Sequence, residues 1–521
     1  MQLFLVSLAL TYIIVLYFFT NPLHHTRKFM WRRFVNWFPL GMTYAFLYMG
    51  RYNLAVAKGA LGDLMTKEDF GIIFGVGTGV YAFSLFFIGP LVDRVGGKRG
   101  ILIGALGSSM MNAAMAGVLY LFLNGALKVN LVLAFSILYG LNMLFQSFGA
   151  VSTIKVKSFW FHVRERGTFG AIFGTLISLG VYFAFDWGGA IADAVKLSQP
   201  TPATKTHEIL NYMFALDGRT IPAFWLIFAI PSMIMLVWAF IDVILLKDTP
   251  DSAGFNGFVT HDASHDDGHD KRYGYWELMK KIFTNKIILV IGVIEFTSGV
   301  LRDGVLTWYP TFAKETGFVV PSITPNWGFW GCVTGIAGGF TAGFMSDKFF
   351  HSRRAPSAGF MQIIMLISTA VMIVFLGWQP LTETFVPELA GENPLKSFVL
   401  QYRGLVVGIC AVTILMAVIG VHSIMSGTAT ADFGGKKASA TATGVADAFS
   451  KAGASVQSFV IGIIATKSWS YWPMFLLPFT ILGLVFAIKM WNVLPPATRK
   501  YLEEVEKKKV GGKRVKRVKH G

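Results

Sequence analysis

Apolar residues along this chain come in blocks long enough to cross a bilayer, broken by short polar connections, and the pattern repeats from end to end. It predicts about thirteen transmembrane helices. The first, near residues 2 to 20, stands apart from twelve others near 34 to 58, 70 to 92, 100 to 124, 130 to 154, 166 to 190, 221 to 246, 286 to 312, 326 to 347, 356 to 378, 403 to 427, 438 to 466 and 472 to 494. The expected fold class is therefore an all-α polytopic membrane protein. The opening segment MQLFLVSLALTYIIVLYFF has no basic residue before its apolar run and is followed by HHTRKFMWRR. It reads as a retained helix with its amino terminus outside.

Composition agrees with this pattern. Of 521 residues, 54% are hydrophobic and 14% charged, whereas a soluble domain carries about 25% charged residues. The formal net charge of +17 does not call for nucleic acid, because the basic residues gather on one side of the predicted spans. DRVGGKR, KVKSFWFHVRERG, SDKFFHSRR and GGKK alternate with poorer connections such as FLNGALKVN and KSWSY. The tail holds ten Lys or Arg between Arg499 and Lys519. That side is expected to be cytoplasmic, with the carboxyl terminus on it, and the tail is either a topology determinant or a contact for anionic lipid. The lack of an N-x-[ST] site fits a bacterial inner membrane. Cys332 and Cys410 both lie in apolar runs and supply no disulfide framework.

One charge pattern occurs twice. GPLVDRVGGKRG carries Gly89, Asp93, Arg94, Lys98 and Arg99; GFMSDKFFHSRR carries Gly343, Asp347, Lys348, Arg353 and Arg354, and the two aspartates are 254 positions apart. Arg51 in YMGRYNLAV and Arg302 in VLRDGVLTWYP are separated by nearly the same offset, 251 positions. An arginine in a membrane helix costs about 2.5–3.5 kcal/mol on insertion scales, so it marks a protein-lined or wet interior. Two halves, each with one such arginine on its first helix, predict a pseudo-twofold site near the midplane.

The first of these loops resembles the major facilitator signature G-x-x-x-D-R-x-G-x-[KR]-[KR]. WFHVRERGTFGAIFG, KDTPDSAGF, GVLTWYPTFAKE and GGKKASATATGVADAF resemble, in order and spacing, the organophosphate:phosphate antiporter family over residues 34 to about 495. The resemblance implies the major facilitator fold: two pseudo-symmetric six-helix bundles at 34–247 and 286–495, joined by a cytoplasmic linker at 248–285. To these are added an extra helix and basic flank at 1–33 and a basic tail at 496–521. It implies that Arg51 and Arg302 bind a phosphoryl group, a role that a planar, permanently charged guanidinium suits. Tyr81 stands where relatives place a tyrosine, and Tyr44 and Tyr48 share the helical face of Arg51. Gly89, Asp93, Arg94, Arg99, Asp347 and Lys348 are expected to form a cytoplasmic gate. The expected function is exchange of an organophosphate, a sugar phosphate above all, for inorganic phosphate by alternating access. The alternatives are proton-coupled symport of an organic anion and a transporter-like sensor of sugar phosphate.

Departures from the family bear on the substrate. Ile177 and Leu85 stand where glycerol-phosphate carriers have a histidine and a lysine, while Lys451 replaces a cavity tyrosine. Asp447, one turn before Lys451, and Glu295, seven positions before Arg302, are expected to balance the site cations or to take up a proton; Asp447 and Lys451 alternatively neutralise each other. His422 is read as a proton or substrate ligand or as a helix–helix hydrogen bond, and Asn142 and Gln146 likewise. His261, His265 and His269 in HDASHDDGHD fall at spacing four, but the aspartates and glycine around them predict a solvated linker, and no metal or cofactor is expected. No G-x-x-x-x-G-K-[ST] loop and no nucleophile with its base is present, so the chain is expected to work as a monomeric gradient-driven carrier and not as an enzyme.

Overall fold

The computed structural model describes residues 2–21, 23–162, 165–199, 203–255, 275–350, 353–377, 394–429 and 439–493. These residues form a helical membrane protein. In chain order the helices are α1 Gln2–Phe19, α2 Arg27–Leu61, α3 Lys67–Val95, α4 Gly97–Leu123, α5 Leu131–Trp160, α6 Arg166–Tyr182, α7 Gly188–Ala194, α8 Lys205–Phe214 and α9 Leu226–Leu245. They continue with α10 Tyr275–Thr284, α11 Lys286–Leu306, α12 Tyr309–Thr316, α13 Trp327–Lys348, α14 Arg354–Leu376, α15 Pro394–His422, α16 Ser439–Lys467 and α17 Tyr471–Lys489. Each of the thirteen expected spans has its helix. A π-helical stretch, Phe183–Trp187, joins α6 to α7 within one span, and another, Ser423–Ala429, extends α15.

Local chemistry sets several helix starts. Thr66 accepts from the Asp69 amide while the Asp69 carboxylate accepts from the Thr66 amide, a reciprocal cap for α3. The Asn130 and Asn285 side chains cap α5 and α11. Nine helices among the described residues are long and apolar enough to cross a membrane by length and composition alone. The helices α2, α11 and α13 fall outside that set, as does α1, whose apolar part Val6–Phe19 is shorter. Of these, α2 and α11 carry the polar residues of the central site, and α13 is rich in glycine.

The helices α2 to α9 pack as one bundle and α11 to α17 as a second, with α3 lying along α16, and α6 against α13, across the boundary. At the first crossing backbone meets backbone: a Cβ on Gly71 would stand 2.6 Å from the Ser458 carbonyl oxygen and 2.9 Å from Gly462 Cα. Only glycine permits that approach. Bonds between the halves gather on the face opposite the DRVGGKR loop. There Lys67 Nζ lies 2.7 Å from Glu315 Oε2, Lys314 Nζ donates to the Gly59 carbonyl, and the Asp186 carboxylate accepts from the Gly328 and Phe329 amides at 2.7 and 3.0 Å, at the start of α13.

The first helix is tied to the amino-terminal bundle at the end carrying the basic loops. Arg33, almost wholly buried, donates through Nη1 and Nη2 to Glu165 at 3.0 Å, through Nε to Tyr17 Oη at 3.0 Å and through Nη1 to the Trp160 carbonyl at 3.3 Å; Tyr17 in turn donates to the Met30 carbonyl. Burial pushes the Glu165 carboxyl up, but the bonds from His25 and Arg33 outweigh it and hold the group at about 2. The HDASHDDGHD loop and the tail 496–521 lie outside the described residues, as do 256–274 of the expected linker.

Candidate functional site

Arg51 lies in α2 and is 2% exposed. Its guanidinium has no carboxylate partner among the described contacts. Nη2 is 3.3 Å from Gln146 Oε1 and 3.5 Å from Tyr81 Oη, and the carbon at the fork's centre lies 4.6 and 5.0 Å from the Tyr48 and Tyr81 ring centres. The ring faces offer negative potential to the cation. Gln146 is itself fixed by donating to the Leu47 carbonyl, Asn142 donates to the Gly50 carbonyl, and Tyr139 donates to the carbonyl of Arg51. The amides of α5 therefore hold the α2 backbone, as helix–helix hydrogen bonds. Tyr44 packs edge-on against Tyr48 at 5.7 Å, one ring removed from the cation.

Arg302, in α11, occupies a different setting. Its Nη2 lies 3.6 Å from Asp303 Oδ2, and Lys451 Nζ of α16 lies 3.5 Å from the same oxygen. The other oxygen, Asp303 Oδ1, accepts from Tyr52 Oη of α2 at 3.0 Å. Lys451 Nζ also stands 5.5 Å from the Tyr81 ring centre. Arg51, Tyr81, Lys451, Asp303, Arg302 and Tyr52 thus form one connected cluster built from both halves. The Nε atoms of both arginines are buried and donate to no partner among the described residues, so each guanidinium keeps donor capacity for an anion.

The remaining site candidates lie as follows. Glu295 is fully buried and its Oε2 is 2.6 Å from His422 Nδ1, a bond between α11 and α15. Asp447 Oδ1 accepts from the Ser426 hydroxyl. The carboxylate in contact with Arg302 and Lys451 is thus Asp303, while the expected counter-charges Glu295 and Asp447 are hydrogen-bonded to His422 and Ser426 and act on these cations from farther away. Asp447 and Lys451 share a helix, yet each is bonded to a different one. At the basic loops Asp93 Oδ1 is 2.7 Å from Lys155 Nζ within one half, and Lys348 Nζ sits 5.0 Å from the Phe344 ring. Gly89 lies in α3 with open space around it. Arg94 and Arg99 flank the Gly96 turn between α3 and α4, where the Lys98 amide donates to Asp248 at 2.7 Å. The Asp347 side chain lies outside the described residues. No group of three or more His, Cys, Asp or Glu side chains able to hold a metal occurs among the described residues.

Asp303 and Tyr52 were not among the expected site residues. Each directly follows a site arginine, and on an α-helix consecutive side chains diverge by about 100°. Tyr52 turns toward the other half from α2, and the length of the Arg302 side chain lets it reach back to Asp303.

Two bundles around a shared interior cluster of cations define a membrane carrier, and comparison with known proteins agrees. The Major Facilitator Superfamily model matches residues 40–419, and the chain belongs to that superfamily. It is similar to the glycerol-3-phosphate transporter of Bacillus subtilis, 25% identical over 86% of this chain and 90% of the relative. It is also similar to the membrane sensor protein UhpC of Escherichia coli, 24% identical over 89% and 91%. A probable hexose phosphate transport protein of Chlamydia trachomatis is 22% identical over 90% and 93%. These relatives agree with the antiporter branch that the motifs resemble. Among solved structures, a bacterial homolog of the human lysosomal transporter Spinster, in an inward-facing and occupied conformation, shares the fold. It superposes with a TM-score of 0.58 at 11% identity over 88% of this chain and 96% of that one.

Proposed function

We propose that this protein exchanges an organophosphate, a sugar phosphate in the first instance, for inorganic phosphate by alternating access. The observation that carries this reading is the pair of guanidinium groups, Arg51 buried in one half and Arg302 largely covered in the other, linked through Tyr81, Lys451 and Asp303. A phosphoryl group offers several oxygens to such forks, and binding between the halves draws them together so that the loaded carrier reorients. Both anions present the same chemistry to the same arginines, which favours exchange. The glycerol-phosphate and hexose-phosphate relatives support the substrate class. Ile177 and Leu85, apolar where glycerol-phosphate carriers have ligands, together with the added Lys451, favour a larger phosphoester over glycerol 3-phosphate. In this reading the basic loops face the cytoplasm, and Asp93, Arg94, Arg99, Asp347 and Lys348 form the gate there.

Proteoliposomes loaded with inorganic phosphate should take up labelled glucose 6-phosphate, and external phosphate should compete. Absence of organophosphate uptake would overturn the reading. Binding without flux would instead favour a sensor, in keeping with the UhpC relative. The Glu295–His422 pair favours a second reading, proton-driven symport of an organic anion, because a histidine bonded to a buried carboxylate inside the membrane is a proton-relay arrangement. Uptake in phosphate-free vesicles that tracks an imposed pH gradient, and is lost in His422→Gln, would select it.

A further inference from the structure

Three cations converge on the site, and a site of that charge faces a problem when it is empty. Guanidinium and ammonium groups buried without counter-charge are costly, and an empty carrier must carry them through the closed state. In a pure exchanger this cost blocks return without substrate.

We infer that Asp303 is a tethered anion that takes the substrate's electrostatic place, so that this carrier can return empty and sustain net flux besides exchange. Resting on the phosphate-exchange reading, the inference adds a property that the exchange reading does not contain. Asp303 is fully buried. One of its oxygens faces Lys451 Nζ at 3.5 Å and Arg302 Nη2 at 3.6 Å, the distances of ion pairs one step looser than hydrogen bonds, and that oxygen has no hydrogen bond of its own. An incoming phosphoryl oxygen has closer, better-aligned positions to take. The other oxygen accepts the Tyr52 hydroxyl from the opposite half at 3.0 Å. In the empty site Asp303 therefore does both things a bound phosphate is proposed to do: it offsets part of the charge of the carboxy-terminal cations and bridges the halves. Glu295 and Asp447, hydrogen-bonded to His422 and Ser426, add more distant negative charge, and neither is the carboxylate that bridges to Tyr52. Arg51 needs no such partner because two tyrosine rings and an amide surround it.

The test compares two rates in proteoliposomes loaded with labelled glucose 6-phosphate: efflux into anion-free buffer and efflux into buffer containing inorganic phosphate. For the unaltered protein, net efflux should exceed that of protein-free vesicles and be slower than exchange. Asp303→Asn should lower the ratio of net efflux to exchange at least 10-fold and tighten inorganic phosphate binding to the purified protein. Tyr52→Phe, which keeps every charge, should lower the ratio about 3-fold and serves if Asp303→Asn does not fold. Exchange without net efflux in the unaltered protein would overturn the inference and leave the exchange reading standing. A ratio unchanged in Tyr52→Phe would also overturn it. Absence of any organophosphate flux would instead remove the exchange reading itself.

Discussion

The two halves hold their arginines in opposite ways. Around Arg51 the neighbours are uncharged: tyrosine rings, the Gln146 amide and a backbone fixed by Asn142 and Tyr139. Around Arg302 they are ionic: Asp303 and Lys451, with Glu295 of the same helix bonded to His422 of α15. A cation held by ring faces and dipoles keeps its place whatever enters the site, whereas a cation held by a carboxylate at 3.6 Å, without a hydrogen bond, can trade partners. The chain repeat thus supplies two equivalent positions that have diverged into a fixed arm and an exchangeable one.

Lysine substitutions should separate the arms most sharply. Arg51→Lys removes the planar fork where no other cation is in contact, and the loss of one or two charge-assisted bonds at about 1.5–3 kcal/mol each predicts a fall in exchange of about 100-fold or more. Arg302→Lys should cost only about 10-fold, because Lys451 remains beside it. Initial rates of glucose 6-phosphate and phosphate exchange check both values, and equal losses would end the distinction between arms.

The amino-terminal half also contains a buried charge pair, Arg33 with Glu165, that serves architecture. Glu165→Gln leaves Arg33 buried beside a neutral acceptor and should lower stability by about 2 kcal/mol, read as thermal unfolding in detergent. Because Glu165 is held at about 2, well below the ordinary glutamate value of 4.5, its contribution is fully present above about pH 4.5. It is lost as the pH falls toward 2. The difference between the native protein and Glu165→Gln should therefore narrow on acidification. In the other half, a double-mutant cycle on Glu295→Gln and His422→Gln should show coupling of about 1 kcal/mol, the scale of a helix–helix hydrogen bond in a membrane.

Much of this was legible before any coordinates. Blocks of apolar residues gave the spans, since a helix in lipid must satisfy its own backbone and little else is possible there. The repeat offset singled out Arg51 and Arg302, because a costly residue placed twice at matched positions signals a shared task. Pairings within the site were not legible. Helical spacing brings Glu295 and Asp447 near the site cations, but spacing along one helix is silent about a neighbour such as His422 or Ser426 arriving from another. Asp303 was hidden by adjacency, and the pairing of Arg33 with Glu165 by a separation of 132 positions.

The smallest effect should come from the contacts that look most like a lock. On the face opposite the basic loops Glu315 sits 2.7 Å from Lys67 and 4.0 Å from Lys58, and accepts from Trp469 Nε1 at 3.1 Å, so it ties the carboxy-terminal half to both α2 and α3. Its side chain is 32% exposed. Water screens such a pair, and ordering a long lysine offsets much of the attraction, leaving about 0–1 kcal/mol. Glu315→Gln also keeps an acceptor for Trp469. Exchange should change by less than about 5-fold, and raising the ionic strength should shrink even that difference. A larger effect that persists in high salt would move the bond that governs reorientation from the Asp303–Tyr52 bridge at the centre to this outer face. The division into a fixed and an exchangeable arm would then no longer account for the carrier's motion.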